Sequence, residues 1–165
     1  MTEPCDLTAV DARRLIGAKR LAPSELMDSC IARIEAVDHA VNAMVVRDFD
    51  RARKLAKQAD EAVAQGRDLP PLHGLPIGIK DLEDAEGLLT TFGSPIFRDN
   101  VAAVDEGIVA SCKQAGAIVL GKTNTPEFGA GGSTFNEVFG RTRNPWNTSL
   151  TCGGSTGGGA VSVAT

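Results

Sequence analysis

Apolar positions keep a helical rhythm through the first third of the chain and give way to short β-branched runs after Pro76. From Leu7 to Lys19 the alternation of apolar and charged residues predicts an amphipathic helix with Thr8 as its N-cap. A second helix is predicted from about Ser24 to Val37. Leu26, Cys30, Ile31, Ile34 and Val37 fall on one of its faces, and Pro23 with Ser24 supplies the opening signal. Asn42 to Val46 reads either as a short strand or as the lead into a third helix. That third helix spans about Asp50 to Gln65, with a solvated polar face and Gly66 as its C-cap. Three prolines and two glycines between Gly66 and Pro76 predict a loop.

Beyond the loop, Ile77-Gly-Ile-Lys80 predicts a strand that ends on a charged residue. Asp105 to Ala115 predicts a helix capped by Asp105, lined on one side by Ile108, Val109 and Cys112, and closed by Gly116. Ala117 to Gly121 follows as a buried strand. Strand, helix, strand is a βαβ unit, which implies parallel strands and a right-handed crossover. Functional groups on such sheets gather at the carboxyl ends of strands, where Lys80 and Lys122 both stand.

Composition narrows the class. The 165 residues are 42% hydrophobic and 23% charged, ordinary for a soluble domain, and long enough for one core. A net charge of −4 leaves no electrostatic footprint for nucleic acid or an anionic membrane. No apolar run is long enough to cross a bilayer and no leader pattern opens the chain, so a cytoplasmic location is expected. Four scattered cysteines, without a C-x-x-C pair, read as reduced thiols. His39 and His73 form no metal-like cluster and read as surface or loop histidines; neither a metal nor a cofactor is expected.

One string invites a wrong reading. Gly116 to Thr123 matches the phosphate-binding pattern G-x-x-x-x-G-K-[ST] letter for letter. A phosphate cradle needs its four intervening residues in an open loop with converging N–H groups. Here they are Ala-Ile-Val-Leu, which belong in a strand, and Asn124 and Pro126 interrupt the helix that should follow. The string is not read as a nucleotide site.

The tail is rich in glycine, and Cys152-Gly-Gly-Ser155-Thr156-Gly-Gly-Gly159 leads into a small-residue helix from Ala160 to Thr165. A glycine loop feeding a helix N-terminus is a platform for an anion or oxyanion. A flexible linker is the alternative. Pro145 and Trp146 just upstream argue instead for a defined, well-packed loop.

Four blocks then carry a resemblance. Pro71-Leu-His-Gly-Leu-Pro-Ile-Gly-Ile-Lys80-Asp81 and Ala115-Gly-Ala-Ile-Val-Leu-Gly-Lys-Thr-Asn-Thr-Pro-Glu127-Phe are the first two. Phe139-Gly-Arg-Thr-Arg-Asn-Pro-Trp146-Asn and Gly153-Gly-Ser-Thr-Gly-Gly158 follow in order. Together they resemble the amidase signature family, and Pro23-Ser-Glu-Leu with Asn42-Ala-Met resembles its opening helices.

The resemblance implies an α/β fold, with N-terminal helices followed by part of a mixed, largely parallel sheet covered by helices. Within it, 1–66 is a helical lead-in and 67–165 the start of the α/β core of a single domain, the remainder being absent. It implies amide hydrolysis through a Ser–cisSer–Lys triad and an acyl-enzyme. Lys80 becomes the base and Ser155 the bridging serine, after a cis bond from Gly154, with Thr156 in support where the family usually has serine. Gly129 and Ala130 fall where the family lines its acyl pocket. The nucleophilic serine and its oxyanion hole lie roughly two dozen residues past the bridging serine in the family, so these 165 residues alone are expected to be inactive. The partner expected is a small-molecule amide, with no nucleic acid and no membrane; homodimerisation of a full-length parent stays open. Two other readings stay open as well: the transamidating subunit of a tRNA-dependent amidotransferase, and a truncated, non-catalytic binding protein. Without the resemblance, Lys80 reads as a salt-bridged strand-end lysine and Ser155 as a helix cap.

Overall fold

A computed structural model of the chain describes residues 3–165. Thr8 Oγ1 accepts the Asp11 amide at 3.1 Å and opens α1 (Ala9–Gly17), the cap the sequence predicts. α2 (Pro23–Val41) starts on Pro23 itself, because proline at the first helical position gives up no hydrogen bond. Glu25 Oε2 reaches back to the Ala22 amide at 2.9 Å. The helix continues past Val37 and ends where Asn42 turns left-handed at φ 53°. The ambiguous segment after it is a strand, β1 (Met44–Arg47). α3 (Phe49–Ala64) buries Ala52, Ala56, Ala59 and Val63 along one stripe, and Gly66 stops it at φ 66°.

Two compact units divide these elements, and each is described by itself. The first runs through Arg33 and takes in Asp48–Ile77 and Ala110–Leu120. Ala12, Ile16, Leu21, Leu26, Val63 and Leu75 form its core, with Cys30 packed alongside. Burial, with Cys5 nearby, pushes the Cys30 thiol up to about 11, so it stays protonated; all four cysteines are free. The proline-rich loop is tied down by Arg13, which donates to the carbonyls of Leu69 at 3.1 Å and Pro70 at 3.2 Å. His73 lies in that loop as expected but is buried, its Nε2 3.1 Å from the Ala59 carbonyl. Gly116 is required there: it sits at φ 93°, and a Cβ would lie 2.8 Å from His73 Cα.

The second unit comprises Ile34–Arg47, Gly78–Val109 and Gly121–Thr165. β2 (Pro76–Lys80), α4 (Gly107–Gln114) and β3 (Ile118–Thr123), each with residues in both units, supply the strand–helix–strand order predicted. α4 is shorter than expected at both ends, and Ile108 is 60% exposed, so Val109 alone of that pair faces inward. The sheet order is β1-β3-β2. β1 pairs antiparallel with β3, Val46 opposite Lys122 and Arg47 opposite Gly121. β2 and β3 advance together: the Ile118 amide donates to Leu75 at 2.8 Å and the Asp81 amide to Thr123 at 3.0 Å. The sheet is therefore mixed. β1 needs no crossover because it enters from the short turn after α2.

All six residues of β3 are buried, so the Gly116–Thr123 string is a turn and a strand, with no open phosphate cradle. A small hairpin, β4 (Phe135–Asn136) with β5 (Gly140–Arg141), and α5 (Gly157–Ala164) complete the fold. α5 begins within the glycine run, three residues ahead of Ala160. Trp146 is 81% exposed, so the loop expected to be well packed is not held by its indole. Its loop is shaped by Asn144, whose Oδ1 accepts the amides of Trp146 at 2.9 Å and Asn147 at 3.3 Å. Among the described residues no helix is long and apolar enough to cross a membrane.

Asp38 shapes the turn from α2 into β1. Its buried carboxylate accepts the amides of Ala43 at 2.7 Å and Met44 at 3.0 Å, and Arg47 Nη2 at 2.8 Å. Removing an acceptor strands buried donors at about 1–3 kcal/mol each. Asp38→Ala is therefore expected to lower the unfolding free energy by about 2–5 kcal/mol in urea titrations, since two buried amides lose their acceptor. A loss below about 0.5 kcal/mol, the size of an ordinary surface effect, would contradict this account of the turn.

Candidate active site

The carboxyl end of β2 delivers Lys80. Its backbone is held on both sides: the Asp81 amide donates to the Thr123 carbonyl, and the Lys80 carbonyl accepts the Glu83 amide at 3.0 Å. The side chain is half-buried. Its Nζ donates to Ser155 Oγ at 2.8 Å and to Thr156 Oγ1 at 3.0 Å. Burial lowers the amine below its ordinary value of 10.5, while the carboxylate of Glu83 pulls the other way. Among the described residues Lys80 has no ion-pair partner, so the salt-bridged alternative does not hold.

The glycine loop delivers Ser155, and the Gly154–Ser155 peptide bond is cis. Gly154 packs against the neighbouring loop: a Cβ there would lie 2.9 Å from the Gly131 carbonyl oxygen and 3.1 Å from the Ser133 amide. Ser155 is not the helix cap either. Thr156 occupies the N-cap position of α5, and it caps nothing with its side chain, which meets Lys80 instead.

The start of α5 is seated on the end of β3 by backbone. Gly158 donates to the Asn124 carbonyl at 3.2 Å, and a side chain at Gly158 would overlap the Asn124 amide. Gly157 donates to Thr134 Oγ1 at 3.1 Å, and Thr134 Oγ1 donates to Gly153 O at 2.9 Å, so both ends of the Ser155 turn share one anchor.

Asn124 in turn is held by a buried polar network. Its Nδ2 donates to Thr142 Oγ1 at 3.0 Å, its Oδ1 accepts from Asn136 Nδ2 at 2.7 Å, and Thr142 Oγ1 donates to the Asn42 carbonyl at 2.7 Å. Each polar atom named here has a partner, which is what permits its burial.

The remaining predicted residues are less central in these contacts. Gly129 takes φ 70° beside the Leu82 side chain, and Ala130 is exposed. The close approach to Gly154 is made by Gly131 and Gly132, further along that loop. Sequence reasoning gave no role to Thr134, Asn136 or Thr142, and read Asn124 only as interrupting a helix. Asn124 lies in the polar run after the apolar part of β3, which periodicity alone would have assigned to solvent. A second buried group was also unforeseen: Lys122, at the end of β3, pairs with Asp81 at 3.3 Å, and neither side chain is exposed at all. Among the described residues no group of three or more His, Cys, Asp or Glu is placed to hold a metal.

An inward-facing glycine and an outward one test how α5 is seated. Gly158→Ala forces a Cβ onto the Asn124 backbone and is expected to cost about 2–4 kcal/mol in urea unfolding. Gly159→Ala, whose Cβ would meet only side-chain atoms at 3.1 and 3.7 Å, should stay within about 1 kcal/mol of the parent, helped by the helix preference of alanine. Equal costs at the two positions would contradict this seating.

A family profile described as Amidase matches residues 25–165. The chain is 43% identical over 164 residues to a glutamyl-tRNA(Gln) amidotransferase subunit of Roseiflexus castenholzii, covering 99% of this chain and 33% of that protein. It is 39% identical over 158 residues to an acylamidase of Rhodococcus erythropolis, covering 96% and 33%. The crystal structure of a bacterial aryl acylamidase of the amidase signature family superposes with a TM-score of 0.88 at 33% identity, over 92% of this chain and 32% of that one. The chain spans about a third of the length of the curated relatives it matches.

Proposed function

Since the chain belongs to the amidase signature family, we propose that its parent protein hydrolyses amide bonds of small molecules through an acyl-enzyme, with Lys80 as base and Ser155 as proton bridge. The observation that carries this reading is the 2.8 Å contact of Lys80 Nζ with Ser155 Oγ, made by an amine whose burial disfavours its charged form.

A neutral lysine amine has two N–H donors and one lone pair. Thr156 Oγ1 can take one N–H, which leaves the lone pair for the Ser155 hydroxyl. Ser155 then gives its proton to Lys80 and accepts one from the nucleophile, because a hydroxyl donates and accepts at once. The nucleophile's oxygen attacks the amide carbon. As the tetrahedral adduct collapses, the proton held on Lys80 returns through Ser155 to the departing amine, leaving an acyl-enzyme that water hydrolyses by the same relay. No cofactor enters this scheme. Gly129 and Ala130 would line the acyl side. A cytoplasmic setting fits the four free thiols.

The family's nucleophilic serine has no counterpart assigned within residues 1–165. We place it in the further length of a full-length parent and count Lys80 and Ser155 as half of a catalytic apparatus in one α/β domain. The transamidating subunit of a tRNA-dependent amidotransferase is the second reading, favoured by the 43% identical relative from such an enzyme. Co-purification of partner subunits from the source, with glutamine as the amide consumed, would select it over a small-molecule amidase.

Lys80→Ala in the full-length parent is expected to lower turnover of a panel of anilides and primary amides by about a thousandfold or more, and Ser155→Ala by a comparable factor. The 165-residue polypeptide alone is expected to show no Lys80-dependent turnover. Because only the neutral amine can act, kcat/KM of the parent should rise with pH through a midpoint below the ordinary lysine value of 10.5 and fall as Lys80 takes up its proton. Full activity in Lys80→Ala, or a midpoint at or above that value, contradicts the assignment.

A further inference from the structure

Lys122 belongs to the string that imitates a phosphate loop, and the mechanism above leaves it without work. It is among the largest fully buried side chains in the molecule. Its Nζ donates to Thr90 Oγ1 at 2.7 Å, lies 3.3 Å from Asp81 Oδ1, and reaches the Leu89 carbonyl at 3.5 Å. Asp81 is as deeply buried. Its carboxylate also accepts the Thr91 hydroxyl, and the Thr91 amide at 3.1 Å. Asp81 directly follows Lys80, and its own amide is the β2–β3 hydrogen bond that fixes the end of the lysine-bearing strand.

This arrangement solves a problem set by the sequence. A base lysine must be neutral, yet the next residue is a carboxylate buried where water cannot screen it. An uncompensated anion there would stabilise the protonated amine of Lys80 and remove it from service.

We propose that Lys122 is a positioning residue for Lys80: by neutralising and immobilising Asp81 it fixes the end of β2 and keeps the adjacent carboxylate from holding the Lys80 amine in its charged form. The idea rests on the reading of Lys80 as the base.

The other charged groups around the site do not take over this task. Glu83, in the turn after β2, acts on both Lys80 and Lys122, and its carboxyl is raised chiefly by a hydrogen bond with Glu106, ahead of α4. Asp84 meets Glu106 through backbone, its carbonyl accepting the Glu106 amide at 2.9 Å. The glycine loop brings Lys80 only the hydroxyls of Ser155 and Thr156. Lys122 itself is lowered by burial and held up first by Asp81, with smaller contributions from Asp84 and Glu83.

The test is the pH profile of kcat/KM in the full-length parent with an anilide substrate, for Lys122→Met and for Asp81→Asn/Lys122→Met. Lys122→Met should move the acid limb upward by about one pH unit, which is about tenfold less activity at a fixed pH on that limb, with KM above the limb unchanged. The double variant removes both charges of the buried pair and should return the limb to its original place. A purely structural role would lower stability and leave the limb where it was, and that result overturns the proposal. So does a displaced limb that the double variant fails to restore. Should Lys122→Met not fold, the double variant decides alone: an unmoved limb with kcat within about tenfold supports the proposal, and a moved limb or a loss beyond about a hundredfold overturns it. Lys80→Ala is run alongside. If it keeps turnover, the base assignment itself has failed; if it is dead while Lys122→Met keeps the original limb, only the role of Lys122 has.

Discussion

A single hydrogen bond, Lys80 Nζ to Ser155 Oγ, joins segments 75 residues apart in sequence, and the chemistry proposed here depends on it. A bond of that kind contributes only about 1 kcal/mol net, too little to hold two mobile segments together. The backbones must therefore be brought to the meeting point by other means. On the lysine side this is the β2–β3 pairing that ends at Asp81 and Thr123. On the serine side it is Gly158 lying directly on Asn124, with Thr134 gripping the turn at both Gly153 and Gly157. β3 serves both, because Thr123 and Asn124 are consecutive. The strand is the shared reference from which both halves of the relay are measured.

Two lysines end neighbouring strands, and their surroundings give them opposite characters. Lys122 is sealed from solvent and met by a carboxylate, so its charge is compensated. Lys80 is only half-buried and is met by two hydroxyls, so desolvation outweighs the opposing pull of the Glu83 carboxylate. Burial alone would not separate these roles; the partner does. The more deeply buried of the pair is held by its counter-charge, and the partly exposed one is the amine the proposed mechanism uses as its base.

Much of this was legible in the chain. Helical spacing found α1, α2 and α3 because their buried residues recur once per turn, and Gly66 and Gly116 closed helices as their left-handed backbones require. The β-branched run found β3. Lys80 and Ser155 were recognisable only through four blocks in a fixed order, since a strand-end lysine or a serine before a helix is ordinary by itself. What escaped notice was polar burial. Asn124, Asn136 and Thr142 look like surface residues in any periodic reading, and only their mutual hydrogen bonds let them lie inside. The loop at Trp146 is defined, as expected, but by Asx-type hydrogen bonds that no apolar pattern reports, while its indole stands in solvent.

Membership of the amidase signature family and a third of a relative's length set the scope of the account: in the function proposed, these residues would supply the proton-handling half of an amide hydrolase. Its central claim concerns the protonation of one amine. Competitive acylation of the lysine amines across a pH series, read peptide by peptide by mass spectrometry, reports that directly and needs no substrate. The account predicts that the Lys80 amine becomes reactive with a midpoint clearly below 10.5, apart from the exposed lysines. A Lys80 midpoint equal to theirs or higher would contradict it.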